Sequence, residues 1–206
     1  DYKNWDWAEV HNNPFFSPDG QWIAFYARNQ LFKVKVDGGA PVPLAASSSN
    51  EGGTWTDSGT IIYKKTWSGG FEAVNENGGE SKPFIAVDGP DEYAYAWPYA
   101  ILGGREMLFI SWGKTSNLLL LDTKTMTKRL VVPQWCRRFA YITPGYLVGG
   151  DEGGELRGTK LAAAGEAPGK VVTVVKGVDT DRTNDGIANF DISQNGNLVY
   201  VRRDRG

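Results

Sequence analysis

The chain has little of what several common classes of protein need. Its 206 residues include one cysteine, Cys136, and one histidine, His11. One cysteine cannot form an internal disulfide or a zinc knuckle, and one histidine leaves few ways to build a His-based catalytic or metal site. No apolar run reaches the about 18 residues that a membrane-spanning helix needs. We therefore predict neither a metal site nor a membrane span.

An excess of positive charge is also absent. The 22 Lys and Arg are set against 24 Asp and Glu, for a net charge of −2. Without surplus cations the chain cannot displace counterions from a polyanion, so we predict no nucleic-acid partner. The glycine-rich stretch 149–154 precedes no predicted helix and is not a phosphate-binding loop. We predict no cofactor.

One acidic loop has the alternating oxygens of a calcium site. Asp179 to Gly186 reads DTDRTNDG, but Asn184 and Phe190 stand where an EF-hand has Gly and Glu. A solvated loop is the favoured interpretation, and cation binding by Asp179, Asp181 and Asp185 is left open.

Glycine and aromatic residues are abundant. There are 26 glycines, 8 Trp, 9 Tyr and 9 Phe, a combination typical of many short strands joined by tight turns. The best helical candidate, 161–167, lacks a 3.6-residue apolar period. The composition predicts an all-β protein.

A strand–turn–strand unit recurs along the chain at intervals of roughly 40–50 residues, the period of a propeller blade. Its turn glycines are Gly20, Gly59, Gly104, Gly145 and Gly196. Two more strands fit into each period, which makes four strands per blade. We predict a β-propeller of four-stranded antiparallel blades, in one domain with approximate blade limits 13–49, 50–89, 90–135 and 136–180 and a partial blade 181–206. A β-sandwich has no reason to repeat this unit.

The first repeat, Ser17–Phe25 (SPDGQWIAF), resembles the WD-repeat-like blade of the periplasmic TolB proteins, and 53–61 resembles the next one. The order of variant blades is similar to that of the C-terminal propeller of certain bacterial serine/threonine kinases and regulators. The resemblance implies an extracytoplasmic location, periplasmic or extracellular, in a bacterium. Ile101-Leu102-Gly103 departs from the family's usual Phe-x-Pro, and no kinase signature is present.

The last pair of predicted strands, ending near Tyr200, has no third or fourth strand after it. Tyr2 to Val10 pairs with it, another chain covers it, or the natural protein is longer and forms a larger ring. We favour the longer chain and expect the isolated 206 residues to self-associate or to be poorly stable.

Candidate binding residues lie in predicted loops. In a propeller, the loops between second and third strands share a face with the connectors between blades. Trp and Arg are enriched at binding hot spots, and these loops hold Arg28, Trp67, Trp112, Lys114, Trp135, Arg137 and Arg138. The alternative, that each Trp packs as a lid on the core, is equally open. The partner would be a protein, a peptide or a glycan.

No catalytic set converges in the sequence. Cys136 beside Arg137 and Arg138 has a lowered thiol pKa if it is exposed to both cations, but a structural cysteine is favoured. His11 is interpreted as a turn or hydrogen-bonding residue. We predict a non-catalytic binding, scaffold or sensor propeller. The alternatives are a propeller-based polysaccharide lyase or hydrolase, or the propeller part of a larger peptidase.

Overall fold

A computed structural model of the chain describes residues 10–163, 166, 169–180, 187–193 and 195–203, with the backbone alone for 10–12. These residues form eighteen strands and a single 3₁₀ turn at Leu102–Gly104. They form four four-stranded sheets and a final two-stranded sheet, and within each sheet neighbouring strands are consecutive along the chain and antiparallel. The predicted class, an all-β propeller of four-stranded antiparallel blades, is confirmed. The single-domain assignment and the blade limits stay predictions.

The strands follow one another in chain order within every sheet. The first sheet contains β1 (Val10–Phe16), β2 (Trp22–Ala27), β3 (Gln30–Lys35) and β4 (Val42–Ala46). The second contains β5 (Gly53–Trp55), β6 (Thr60–Tyr63), β7 (Phe71–Asn75) and β8 (Lys82–Ile85). The third contains β9 (Glu92–Ile101), β10 (Glu106–Gly113), β11 (Asn117–Asp122) and β12 (Thr127–Val132). The fourth contains β13 (Arg138–Ile142), β14 (Tyr146–Gly150), β15 (Glu155–Lys160) and β16 (Val172–Lys176), and the last contains β17 (Phe190–Ile192) and β18 (Leu198–Tyr200).

The predicted turn glycines occupy equivalent places, each in the first hairpin of its sheet and each with a positive φ, between 69° and 112°. Four of them donate their N–H to the carbonyl three residues earlier, at 2.9–3.0 Å. The turn at Gly104 differs, because the 3₁₀ turn shifts this bond to Arg105, whose N–H donates to the Leu102 carbonyl (3.3 Å). The departure of 101–103 from the family pattern therefore has a local structural counterpart.

The chain divides into two compact units, 1–114 with 120–128 and 115–119 with 129–206. In the first unit, buried side chains of the first two sheets form a continuous core, namely Ala24, Tyr26, Leu31, Leu44, Trp55, Ile61, Tyr63 and Val74. Lys33 in β3 is buried, although it carries a charge. Its ammonium lies 4.5 Å from the ring centroid of Trp22, because the long lysine stem can cover apolar surface while its charge rests on an indole face.

A polar network borders the core of this unit. The Tyr95 hydroxyl donates to Glu92 Oε2 (2.9 Å), Ser111 donates to Glu92 Oε1 (2.5 Å), and Lys128 donates to Tyr95 and to Asp88. The ring of Tyr95 is buried against Phe71 and Phe109. Burial, supported by Glu92 and opposed by Lys128, raises the pKa of Tyr95 to about 12.

In the second unit, Val148, Leu156, Val178, Ala188 and Phe190 form the core. The final strand pair has a partner that comes from upstream in the chain. Arg203 N–H donates to the Gly177 carbonyl (2.8 Å) and Asp179 N–H to the Val201 carbonyl (2.7 Å). One of the alternatives left open was that Tyr2 to Val10 pairs with this sheet. Residues 1–9 lie outside the described residues, and Val10 pairs with Ala27 instead.

The contrast between two tryptophans tests the strand assignment. Trp55 is 6% exposed and donates from Nε1 to Glu76 (3.0 Å), whereas Trp67 is 55% exposed. We expect Trp55→Ala to cost about 3–5 kcal/mol of unfolding free energy, through lost burial and a cavity. Trp67→Ala should cost less than about 0.5 kcal/mol. Urea denaturation measures both, and equal costs would contradict the assignment of Trp55 to the core.

Alkaline unfolding tests the Tyr95 network. An unfolded tyrosine ionises near pH 10, and Tyr95 in the folded chain near 12. The raised pKa of Tyr95 therefore contributes fully to the free energy of unfolding below about pH 10, and this contribution is lost as the pH rises to about 12. We expect Tyr95→Phe to flatten the decline in stability across this range by about 2–3 kcal/mol. Urea titrations from about pH 9 to 12 measure it. The exposed Tyr146→Phe should follow the wild type, and a parallel decline for Tyr95→Phe would refute the account.

Candidate functional site

Backbone hydrogen bonds tie the connectors between sheets to the neighbouring loops between second and third strands. In the first unit, Ser47 N–H donates to the Asn29 carbonyl (2.9 Å) and Ser48 N–H to the Lys65 carbonyl (2.8 Å). In the second unit, Trp135 N–H donates to the Ser116 carbonyl (2.9 Å). The predicted sharing of one face by these loops and connectors is confirmed at both places.

In the second unit this arrangement forms an open cleft of about 370 Å³, which we call the Trp135 cleft. Its lining comes from the β10–β11 loop (115–116), the β12–β13 connector (134–137), the β14–β15 turn (151–153) and Arg157 of β15. Trp135, Cys136 and Arg137, all marked in the sequence, lie in this lining.

Arg157 fixes the position of Trp135. Its guanidinium lies 5.6 Å from the centroid of the indole ring and donates to the Trp135 carbonyl. Arg157 Nε also lies 3.8 Å from Asp151 Oδ2. Because both the ring and the backbone of Trp135 are held, the buried indole forms a rigid wall of the cleft.

A second ion pair stands at the mouth of the cleft. Arg137 Nε donates to Glu152 Oε1 (2.9 Å), and Nη2 donates to the same oxygen. Glu152 is 61% exposed, whereas the Arg137 side chain is mostly covered. The guanidinium of Arg137 is therefore largely covered, while the carboxylate that it binds remains open to solvent.

Cys136 is not an activated thiol. It is buried, and burial raises its pKa well above the usual value despite the nearby Arg157. The interpretation of a lowered thiol pKa is therefore wrong, and the structural interpretation is confirmed. Gly149 of β14 faces it, and a Cβ at this position would lie 2.6 Å from Cys136 Sγ and 2.6 Å from Trp135 Nε1.

The other predicted site residues are placed differently. Trp112 is buried within β10 rather than in a loop, since this strand runs on to Gly113, and its ring has no surface to offer a partner. Arg138 lies in β13, where burial lowers its pKa and Asp191 opposes the shift. Neither residue belongs to the candidate site.

Three predicted residues are exposed in the first unit. Lys114 pairs with Asp91 (2.5 Å). Arg28 lies in the β2–β3 turn, and Trp67 in the β6–β7 connection. Trp67 lines a small pit with Asn29 and with Ser47 to Asn50. Whether any of these residues binds a partner stays a prediction.

Sequence reasoning missed Asp151, Glu152 and Arg157 as site residues. Asp151 and Glu152 lie in a glycine-rich segment that was assigned no binding role from the sequence, because it was interpreted only as a turn. Arg157 lies in a strand that carries no recognisable motif. Only the antiparallel register that sets Arg157 opposite Gly149 brings it beneath Trp135.

Metal and membrane sites receive no support within the described ranges. No three or more His, Cys, Asp or Glu side chains gather there in a way that would hold a metal ion. Of the suspected cation loop, Asp181 and Asp185 lie outside the described residues, and Asp179 accepts from Asn189 Nδ2 (3.3 Å). Nothing helical in the described part of the chain has the length and apolar character to cross a membrane.

No protein-family model matches the chain. Short stretches are similar to chorismate synthases, at 53% identity over 38 residues for Methylorubrum populi and 44% over 50 residues for Bartonella bacilliformis. They cover 18% and 23% of this chain but only 10% and 14% of those enzymes. Matches this short do not show a family.

Solved structures align over most of the chain. A putative TolB from Agrobacterium tumefaciens has a TM-score of 0.66 at 13% identity, covering 93% of this chain and 69% of that one. The fold of the present chain is similar to that of TolB-like β-propellers. A chain of a nidogen/laminin complex has a TM-score of 0.63 at 11% identity (80% and 65% covered). An oligogalacturonate lyase in complex with manganese has 0.61 at 11% identity (86% and 56%).

Likenesses at such low identity show the fold alone. They support the TolB-like part of the resemblance. The WD-repeat and kinase parts are not confirmed.

Substitution of Gly149 tests the packing under the cleft. We expect Gly149→Ala to cost about 1–3 kcal/mol, because its methyl group displaces the indole and the thiol. Urea denaturation measures the cost, and tryptophan emission reports the displacement of Trp135. Gly153→Ala is the matched control, since its Cβ would meet only the Asp151 side chain, at 3.1 Å. A Gly149→Ala protein as stable as the control would show that Trp135 is not held as described.

Proposed function

We propose that the chain is a non-catalytic recognition propeller that binds a carboxylate-bearing segment of a protein or peptide in the Trp135 cleft. One observation carries the proposal: the β12–β13 connector and β15 bring Arg137 and Arg157 to the same open cleft, over the buried Trp135 and beside the exposed carboxylate of Glu152. Arg is among the side chains that most often dominate binding energy at interfaces.

Preorganisation supports binding at this place. Trp135 is held through its ring, its carbonyl and its N–H, so little conformational freedom remains to be lost on contact. Asp151 fixes Arg157 against the indole, while Arg137 keeps an exposed partner. The cleft thus contains a fixed wall and one cation that is free to change partners.

Charge exchange explains the choice of ligand class. Glu152 holds Arg137 in the absence of a ligand and prevents an unpaired, sheltered guanidinium, which would be costly. A carboxylate of the ligand replaces Glu152, which turns outward into water at little cost because it is already largely exposed. A neutral or basic segment has nothing to offer in this exchange.

The fold also supports a proposal for the role and the cellular location of the chain. The TolB-like architecture supports a binding, scaffold or sensor role and an extracytoplasmic location in a bacterium. The lyase and peptidase alternatives have no specific side-chain observation in their favour, since the likeness to a lyase is one of fold. Self-association and a longer natural chain stay predictions.

Selection from a displayed library of random short peptides, followed by fluorescence polarisation with the selected peptides, tests the proposal. We expect acidic residues to be enriched and Arg137→Ala to weaken binding at least about 10-fold, the effect of losing a hot-spot contact. Glu152→Gln should strengthen binding, because it removes the competing charge. Arg129→Ala, which changes an arginine bonded to the Ala162 carbonyl, is the control.

Two results would overturn this function. The first is that the selected peptides bind wild type and Arg137→Ala with the same affinity. The other is weaker binding by Glu152→Gln, which would mean that Glu152 contacts the ligand instead of giving way to it.

A further inference from the structure

The fourth sheet ends on a strand whose outer edge is open. β16 pairs with β15 on one side and is the last strand of its sheet. Among the described residues, the backbone of 170–176 forms no hydrogen bond to any further segment. The N–H and C=O groups on the outer side of β16 are therefore available to another strand. We call the segment 170–176 (KVVTVVK) the β16 edge.

The side chains of the β16 edge are β-branched and largely exposed. Val172 is 49% exposed, Val174 is 46% exposed and Val171 is 38% exposed. Thr173 is exposed as well, so three consecutive residues of the strand are open to solvent. β-branched residues favour the extended conformation, and exposed valines gain burial energy when another strand covers them. The segment can therefore accept an added strand in the conformation that it already has.

The other outer strands contain residues that hinder such pairing. β4 contains Pro43 and β8 contains Pro83, and proline is a residue that blocks a sheet edge. β12 contains Lys128 and Arg129, which place charge within the strand. A bulge interrupts the pairing of β16, but β4 and β8 have the same irregularity. Among these four outer strands, β16 alone has neither a proline nor a charge before its last residue.

Lysines stand at both ends of the β16 edge. Lys170 is exposed, and the Lys176 side chain is 75% exposed. Glu155 Oε2 lies 3.9 Å from Lys176 Nζ, and the same carboxylate accepts a hydrogen bond from Thr173 Oγ1. Glu155 is therefore a loose and shared partner, and both ammonium groups are accessible to a carboxylate from another molecule.

Charge distinguishes a second copy of the chain from a different partner. Two copies that paired antiparallel over the whole β16 edge would set Lys170 of each against Lys176 of the other. Parallel pairing would set each lysine against its own copy. Like charges opposite each other destabilise paired strands, and lysines at an edge keep copies apart. A segment with carboxylates at these two positions would gain two ion pairs instead.

We propose that the β16 edge binds an extended segment of another protein, which adds a fifth strand to the fourth sheet. The segment has two carboxylates about six residues apart, the separation of Lys170 and Lys176, and β-branched or other apolar residues between them. Backbone hydrogen bonds supply the affinity, and the lysines select the charge at the ends. This interaction does not depend on the Trp135 cleft.

NMR titration with three peptides, each as long as the β16 edge, tests the proposal. The first has Glu at both ends and alternating Val and Thr between them. The second has Lys in place of both Glu, and the third has Pro at the centre of the first. We expect the first peptide to shift the amide signals of 170–176. The second should bind at least about fivefold more weakly, the effect of two exposed ion pairs. The third should bind at least about 10-fold more weakly, because proline removes a backbone donor.

Reversal of the charge at both ends of the edge provides a matched variant. The double variant Lys170→Glu and Lys176→Glu should reverse the preference, so that the Lys-ended peptide binds more tightly than the Glu-ended one. The double variant Lys82→Glu and Lys124→Glu is the control, because both of these lysines are exposed and the net charge changes equally. It should bind the peptides as wild type does, and a reversed preference in the control would overturn the assignment to the β16 edge.

Repeating the titrations in Arg137→Ala separates the β16 edge from the Trp135 cleft. Binding of the Glu-ended peptide that Arg137→Ala abolished would place this peptide in the cleft and overturn the β16 site. Equal affinity for the three peptides, or no amide shifts at 170–176, would overturn strand addition. A wild-type dimer in light scattering, with the amides of 170–176 protected from hydrogen exchange, would make a second copy the occupant and also overturn the proposal.

Discussion

The bonds between connectors and loops are the constraint on which the Trp135 cleft and the small pit beside Trp67 both depend. A connector that crosses from one sheet to the next must pair its buried N–H groups. Ser47, Ser48 and Trp135 do so on carbonyls of the loops between second and third strands. A loop in this arrangement cannot move without breaking bonds to its neighbour, which keeps the concave sites formed before a ligand arrives.

The same backbone arrangement carries two different chemistries. In the Trp135 cleft the side chains are charged, with Arg137 and Glu152 paired at the mouth and the indole buried as a wall. In the small pit beside Trp67, the uncharged residues Tyr26, Ala27, Asn29 and 47–50 line the space, and the indole is exposed. Loops on a rigid scaffold often vary in this manner, because a substitution there leaves the sheets intact. Trp135, in a connector, is buried at the base of its cleft, whereas Trp67, in a loop, is exposed to solvent.

Much of the fold could be predicted from the sequence, because the determinants are local. A glycine in each first hairpin marks every sheet, and prolines mark the outer strands, as Pro43 does in β4 and Pro83 in β8. The loop assignment also found Trp135, Arg137 and Trp67. It failed at Trp112, which was assigned to a loop although β10 runs on to Gly113. Arg157 was not predicted, since cross-strand register, which no short motif encodes, brings it beneath Trp135.

Hydrogen exchange of individual backbone amides, followed by NMR under native conditions, tests the preformed loops most directly. The amides of Ser47, Ser48 and Trp135 are the ones to measure, because they form the bonds between connectors and loops. The account predicts that they exchange as slowly as the amides of the buried β6 and β14 strands, since local opening would require separating a connector from its neighbour. Exchange at the rate of exposed, unprotected amides would contradict it, and would mean that the sites form only when a ligand binds.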